Sequence, residues 1–390
     1  MTQFQADLCQ SAEFMIGPYR VCSFLGEANL RKDADYISFT GDFGFSGWLP
    51  EKKVIKNYLA HESSLLSNFR LNVINLEYML RGFSGCQLDR QIDTLMIDIF
   101  KTAGYGLIGC ANNHALDHGV DGIHYNTVQL TEANLAMIGT RDCPVYPCYT
   151  DGKKVAIFAL TDDADEEDQN SPILGMNQAD LALLQQKIAD AHFRIAFVHL
   201  GSMSSFPSVH ERLQTDKLME IGADLVICTG SHFIKGLTTQ RGKVVAYGIG
   251  NHMFSFVDSD TEPIGMHVVA GFEGGDLSQL FAIPFHNTIR QGKTGPLDER
   301  TFALFKRTLL ERSTMDPNKY FSDPRSLKNL SGYLKDFRVS KLKKVKARHI
   351  TYAAQVLFHH YPITAVSGSL LGLLFFVLLI RWSFFALIQL

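Results

Sequence analysis

Residues Arg194 to His232 read RIAFVHLGSMSSFPSVHERLQTDKLMEIGADLVICTGSH. Two near-continuous apolar runs, Arg194 to Leu200 and Asp224 to Thr229, flank a longer helical stretch. Each run meets a polar group, His199 in the first and Gly230-Ser231-His232 after the second. Apolar runs of this kind suit strands buried on both faces, and a helix between two of them makes an α/β unit. The same texture extends upstream through YISFT (Tyr36 to Thr40), LNVINL (Leu71 to Leu76), GLIGCA (Gly106 to Ala111) and KVAIFAL (Lys154 to Leu160). Helical patterns at Asp121 to Asn134 and Ala179 to Ala191 separate some of these runs. The pattern from Tyr36 to Phe285 is that of an α/β sheet layered with helices. From Gly236 the texture shifts to hairpins, one turning at Arg241-Gly242 and one around Glu273 to Asp276. These read as antiparallel strands that finish the sheet or form a second one.

The chain has 390 residues, 46% hydrophobic and 20% charged. That composition is enough for a sizeable core and excludes disordered or collagen-like classes. With 37 basic and 40 acidic residues the formal charge is −3, so no overall positive field points to nucleic acid as a partner. Seven cysteines, odd in number and without CxxC spacing, fit a reducing compartment better than a disulfide scaffold or zinc ribbon.

The start, MTQFQADLCQSAEF, lacks a basic leader followed by an apolar stretch, so the main domain is expected to stay in the cytoplasm. At the other end, Ile363 to Ile380 gives eighteen residues without a charge, about 27 Å as a helix and nearly a bilayer core. Arg381-Trp382 follows as an interfacial pair, then a short apolar tail. Lys335, Arg338, Lys341, Lys343, Lys344, Lys346 and Arg348 precede it against the single acid Asp336. By the positive-inside rule this is a single-pass C-terminal anchor with the N-terminal domain on the cytoplasmic side. A tail lying in the interface is the alternative.

Polar residues at the strand ends carry the chemical information. The strands run into Gly41-Asp42, Asn75-Leu76-Glu77, Asn112-Asn113-His114, His199-Leu200-Gly201 and Gly230-Ser231-His232. Loops at the carboxyl ends of an α/β sheet converge on one crevice, so these clusters are expected to meet. Carboxylate, amide oxygen and imidazole are the ligands of divalent metals, which polarise phosphoryl or carbonyl groups and activate water.

The order GD, NLE, ANNHALDHG, HLG, DLVICTGSHFIKG and YGIGNHMF resembles the capsule-synthesis CapA family, associated with poly-γ-glutamate biosynthesis. The resemblance covers Ile37 to Phe254. It implies an α/β fold of the calcineurin-like metallophosphoesterase type, a layered sheet sandwich flanked by helices, to which the uncharged stretch 363–380 adds an expected C-terminal transmembrane helix. The expected organisation is an extension at 1–35, the CapA-like domain at 36–297, a polar then basic helical linker at 298–361, the membrane helix at 363–380 and a tail at 381–390. The resemblance further implies that Asp42 is the first-motif aspartate and Glu77 the bridging acid. Asn113 takes the place of the asparagine ligand, and His199 and His232 those of the later metal histidines. Together they would hold one or two divalent ions, Mn, Zn or Fe. His114 matches the histidine that contacts substrate or leaving group, and Asp117 either orients it or caps the helix beginning near Gly119.

Three departures stand out. Gly230 replaces the first histidine of the family's GxHPH, Met203 replaces the glutamate of HWGxE, and Gly44 stands where many phosphoesterases place a histidine. His252 is a candidate to supply a ligand back. The implied function is a membrane-anchored protein of capsule or extracellular-polymer biosynthesis. Its partners would be the membrane and other synthesis or export proteins. An active metal-dependent phosphoesterase and a non-catalytic scaffold on the same fold both remain open.

Overall fold

The computed structural model describes residues 12–45, 49–82, 85–162, 171–201, 205–254 and 263–314. The first half contains β1 (Ala12–Ile16), β2 (Tyr19–Leu25), β3 (Asp35–Gly44), α1 (Lys52–Leu66), β4 (Leu71–Leu76), α2 (Gln87–Ala103), β5 (Leu107–Gly109), α3 (Gly119–Glu132) and β6 (Ala136–Ile138). There follow β7 (Val145–Thr150), β8 (Lys153–Thr161), α4 (Gln178–Lys187), β9 (Phe193–His199), α5 (Val209–Glu220) and β10 (Leu225–Thr229). The hairpins and the end are β11 (Leu237–Gln240), β12 (Lys243–Ala246), β13 (Asn251–Phe254), β14 (Ile264–Glu273), β15 (Asp276–Thr288), β16 (Lys293–Pro296) and α6 (Glu299–Thr314).

The strands form two sheets. The larger runs β1-β2-β15-β14-β3-β4-β5-β6, with β13 also on β3 and β16 on β15; the smaller runs β11-β12-β10-β9-β8-β7. The centre of each is parallel: β13, β3, β4, β5 and β6 in one, β12, β10, β9 and β8 in the other. The sequence leaves open whether the hairpins extend one sheet or make another, and in fact they part company. β11-β12 finishes the smaller sheet and β14-β15 the larger. Both turns need left-handed backbone at two successive residues, met by Arg241-Gly242 and Gly274-Gly275.

The period-two rule explains how the sheets stack. Along β8, Val155, Ile157 and Ala159 join the main core shared with the larger sheet, while Ala156, Phe158 and Leu160 join a second core with Leu184, Ile188 and Leu218. The smaller sheet is therefore covered on one side by α4 and α5 and on the other by the larger sheet, where Phe39 meets Phe197 at 5.6 Å between centroids. The far side of the larger sheet packs on α1 and α2, with Phe43 against Phe100 at 4.8 Å.

Two stretches differ from their expected places. Residues 12–25 lie within the expected extension, yet they form β1 and β2 on the edge of the larger sheet, with Tyr19, Val21 and Cys22 buried. Helix α6 opens the expected linker but buries Phe302, Phe305 and Leu309 in the main core. Among the described residues no helix is long and apolar enough to cross a membrane. The apolar stretch 363–380 and the basic segment before it lie outside the described residues.

One irregularity positions everything below. The β3–β4 register slips between Thr40 and Asp42, leaving Gly41 as an extra residue. Without it Asp42 would share a face with Thr40; with it Asp42 turns to the side of Phe39, toward the smaller sheet. Gly41 cannot carry a side chain, since a Cβ there would lie 1.8 Å from the Gly250 carbonyl oxygen. Gly41→Ala is expected to destabilise the fold by about 3 kcal/mol or more in denaturant unfolding. Gly106→Ala, whose Cβ meets only the flexible Leu71 Cδ1 at 3.3 Å, is expected to cost under about 1 kcal/mol.

Candidate metal centre

The bulge delivers Asp42, fully buried, to the crevice where the carboxyl ends of both sheets meet. One carboxylate oxygen accepts hydrogen bonds from Asn75 Nδ2 at 2.8 Å and, more weakly, from the Gly230 backbone N–H at 3.3 Å. The other accepts from the same N–H at 2.9 Å and lies 3.4 Å from His232 Nδ1. Glu77, the first residue beyond β4, is buried and reaches His232 Nε2 at 3.6 Å. His232 adopts a left-handed backbone, φ 59°, which is uncommon for a side chain of its size and marks a locally strained site. That turn, with Asn251 Oδ1 at 2.8 Å from its Nδ1, holds the imidazole between the two acids.

Asp42, Glu77 and His232 each offer a ligand atom within 4.8 Å of the others. Two carboxylates and one imidazole, nearly dry, are a donor set that fits a divalent ion of the Mn, Zn or Fe kind. Electrostatics points the same way. Burial by itself would raise the Asp42 carboxyl, but His232, His199 and Asn75 outweigh it and hold the group below its usual value. Burial would likewise lower His232, yet the carboxylates of Glu77 and Asp42 drive it up to about 10. Without a metal, the imidazolium proton supplies the positive charge that two buried carboxylates demand.

The other expected site residues take varied places. His199 stands beside the centre: its Nδ1 is 3.8 Å from Asp42, 3.3 Å from Asn75 Nδ2 and 3.4 Å from Thr229 Oγ1. Asn113 is exposed, whereas its neighbour Asn112 is buried. Asn112 donates to the Leu76 carbonyl at 2.8 Å and accepts the His114 N–H at 3.0 Å, bracing the loop. His114 lies partly open, its Nδ1 2.8 Å from Asp117 Oδ2. An aromatic run links it to the centre: His114 to Tyr78 at 5.0 Å, Tyr78 stacked on Phe254 at 4.9 Å, and Phe254 against His232 at 5.3 Å. Burial and the nearby Glu77 and Asp117 push the Tyr78 phenol up to about 12, so it stays neutral.

Two of the three sequence departures have a steric reason. Gly230, at φ 88°, packs against the His199 ring, and a Cβ there would lie 2.7 Å from Nε2. The position contributes its N–H to Asp42 in place of an imidazole. A Cβ on Gly44 would lie 2.6 Å from that of Tyr78. Met203 lies outside the described residues. His252 is turned to the opposite side of β13 and bonds the Tyr58 hydroxyl at 2.7 Å, so it adds nothing to this centre. Asn75 and Asn251, which orient Asp42 and His232, were legible only as neighbours of strand ends.

Comparison with known proteins adds to this geometry. The model of a family described as bacterial capsule synthesis protein PGA_cap matches residues 33–255. The PGA biosynthesis protein CapA of Bacillus subtilis (strain 168) is 24% identical over 182 residues, 43% of this chain and 47% of that protein. The capsule biosynthesis protein CapA of Bacillus anthracis is 25% identical over 238 residues, 56% of each. The chain thus spans about half the length of these relatives. Among solved structures, a putative 5'-nucleotidase from Staphylococcus aureus aligns with a TM-score of 0.44 and 11% identity, over 70% of this chain and 58% of that one. A hypothetical protein from Thermus thermophilus gives 0.43 and 13%, over 65% and 99%.

The raised His232 pKa has a signed consequence. In the metal-free protein its stabilisation is complete below pH 6.5 and is lost as pH rises through about 10. Thermal melts of metal-free protein should therefore decline between neutral pH and pH 10, and His232→Gln should flatten that decline. Because a metal must displace the same proton, its affinity should rise by about tenfold per pH unit between about pH 7 and 9, measured by competition with a chromophoric chelator.

Proposed function

Because this chain belongs to the bacterial capsule synthesis protein family PGA_cap, we propose that it acts in the biosynthesis of a capsule-type extracellular polymer through a metal-dependent hydrolase-like centre. The observation that carries this is the convergence of Asp42, Glu77 and His232 at the end of both sheets, next to the partly open His114–Asp117 pair. A divalent ion held by the first three residues would polarise a phosphoryl or carbonyl oxygen of the substrate. The chain's own residues do the rest. Gly230 N–H and Asn75 fix Asp42, Asn251 fixes His232, and Asp117 holds His114 Nδ1, leaving Nε2 to give a proton to the leaving oxygen.

The centre is proposed to hold one ion rather than two. The position that would bring another imidazole is Gly230, whose missing side chain makes room for His199. The layered two-sheet arrangement is in keeping with the metallophosphoesterase fold implied by the sequence resemblance. Attachment to the membrane through 363–380, with the domain on the cytoplasmic side, completes the proposal. It is supported by the uncharged stretch and the basic residues before it. A scaffold role would need the partly open His114–Asp117 pair to be incidental.

In the native host, an Asp42→Asn allele expressed at normal level is expected to abolish surface polymer. With the purified full chain loaded with Mn, Zn or Fe, His114→Ala should lower turnover of a model phosphodiester by about 10²-fold or more while metal content is unchanged. Intact polymer in the Asp42→Asn strain would exclude the centre from the function. Polymer loss without turnover on any substrate would instead support a metal-dependent scaffold.

A further inference from the structure

The strands that build the metal centre carry a second convergence of ligand atoms on their other side. Because of the bulge at Gly41, Thr40 and Asp42 face opposite ways, and so do the neighbours Asn251 and His252 on β13. On the Thr40 side lie Glu62 from α1, His252 from β13 and His267 from β14, exposed by 2%, 1% and 0%. His252 Nε2 is 3.3 Å and His267 Nε2 3.4 Å from the same oxygen, Glu62 Oε1. Two donors bound at about 2.1 Å to one tetrahedral ion stand about 3.4 Å apart, whereas an N–H···O hydrogen bond closes to about 2.9 Å. Both separations exceed that hydrogen-bond length, and the three ligand atoms lie within 4.8 Å of one another.

The surroundings agree. His267 Nδ1 lies 2.8 Å from Thr40 Oγ1. A hydroxyl accepting from Nδ1–H leaves the Nε2 lone pair facing the cluster, as in imidazoles that bind metal. That Nε2 is buried and makes no hydrogen bond. The Tyr105 hydroxyl donates to Glu62 Oε1 at 2.6 Å and lies 3.1 Å from His252 Nε2, and the Tyr58 hydroxyl lies 2.7 Å from the same nitrogen, so an ion entering here takes over or shares these hydrogen bonds. Glu62's ion-pair partners are the two imidazoles, in a setting where a bare carboxylate is costly. A small cavity lined by Tyr58, Glu62, His252, Phe285, His286 and Thr294 adjoins the cluster, with room for about one water-sized particle.

We infer that Glu62, His252 and His267 form a second, buried site for a divalent transition-metal ion of the zinc type. It is separate from the Asp42 centre and clamps α1 to β13 and β14. The donor set of two imidazoles and one carboxylate is suited to zinc, and the depth of the site gives it a structural rather than a catalytic task.

The test uses the full chain with zinc ions as the probe. Crystals grown with saturating zinc, with diffraction collected on either side of the zinc absorption edge, should show an anomalous peak between Glu62, His252 and His267, apart from any peak at Asp42. Elemental analysis should find one fewer zinc per chain in Glu62→Gln, and Asp42→Asn should retain the Glu62 peak. Wild-type crystals with no anomalous density among these three side chains would overturn the assignment, whatever the variants do. Unchanged zinc content in a folded Glu62→Gln protein would overturn it as well. Because the Asp42 peak is read independently in the same crystals, the absence of one peak does not count against the other site.

Discussion

The close approach of the Gly250 carbonyl to Gly41 is the constraint on which the rest depends. A strand with regular alternation would have sent Asp42 to the same side as Thr40, into the core against α1. One extra residue reverses this, and only glycine lets the neighbouring backbone come within reach. The catalytic-type carboxylate is thus aimed by backbone geometry, fixed before any side chain chooses a rotamer. The partner strand obeys the same logic, since Asn251 pairs with Asp42 in parallel register and turns its amide to the same side.

Around that carboxylate the chain solves a problem of charge. Asp42 and Glu77 are both buried, and each faces His232. Burial opposes ionisation of Asp42 and of the His232 imidazole, yet the attraction between the opposite charges prevails. An arrangement that is stable as a proton-bearing triad and equally suited to a divalent ion is able to persist through folding and load metal afterwards. Gly230 contributes by subtraction: its bare α-carbon admits the His199 ring while its N–H serves Asp42. What looked in the sequence like the loss of a ligand is a different way of fixing the same carboxylate.

Strands and their polar ends were legible because burial on both faces leaves a strong composition signal: Leu71–Leu76 coincides with β4, and both hairpin turns fall where predicted. Which strand belongs to which sheet was not, since a parallel apolar strand reads the same in either. The loop after β5 shows the limit for site residues. Asn112 and Asn113 are adjacent and identical, and only the turn of the backbone decides that the first is buried and the second exposed. Glu62 and His267 gave no signal. Each sits inside a regular element, and a polar residue in a helix or strand is normally read as facing water.

That Glu62 and His267 are buried changes how the sheet itself is understood. At their crevice ends strands β3 and β13 each present a polar residue to either side, Asp42 and Asn251 toward the crevice, Thr40 and His252 toward α1. Polar atoms on the crevice side meet a functional need, but those on the α1 side displace apolar packing that would stabilise the core without penalty. Their polar contacts run between α1, β3, β13 and β14, so they fix the register of the strands on which Asp42 and Asn251 are mounted. A shift of one residue in that register would turn Asp42 back into the core. The buried polar cluster therefore acts on the crevice through the backbone, by holding in place the strand pair that the Gly41 bulge has turned.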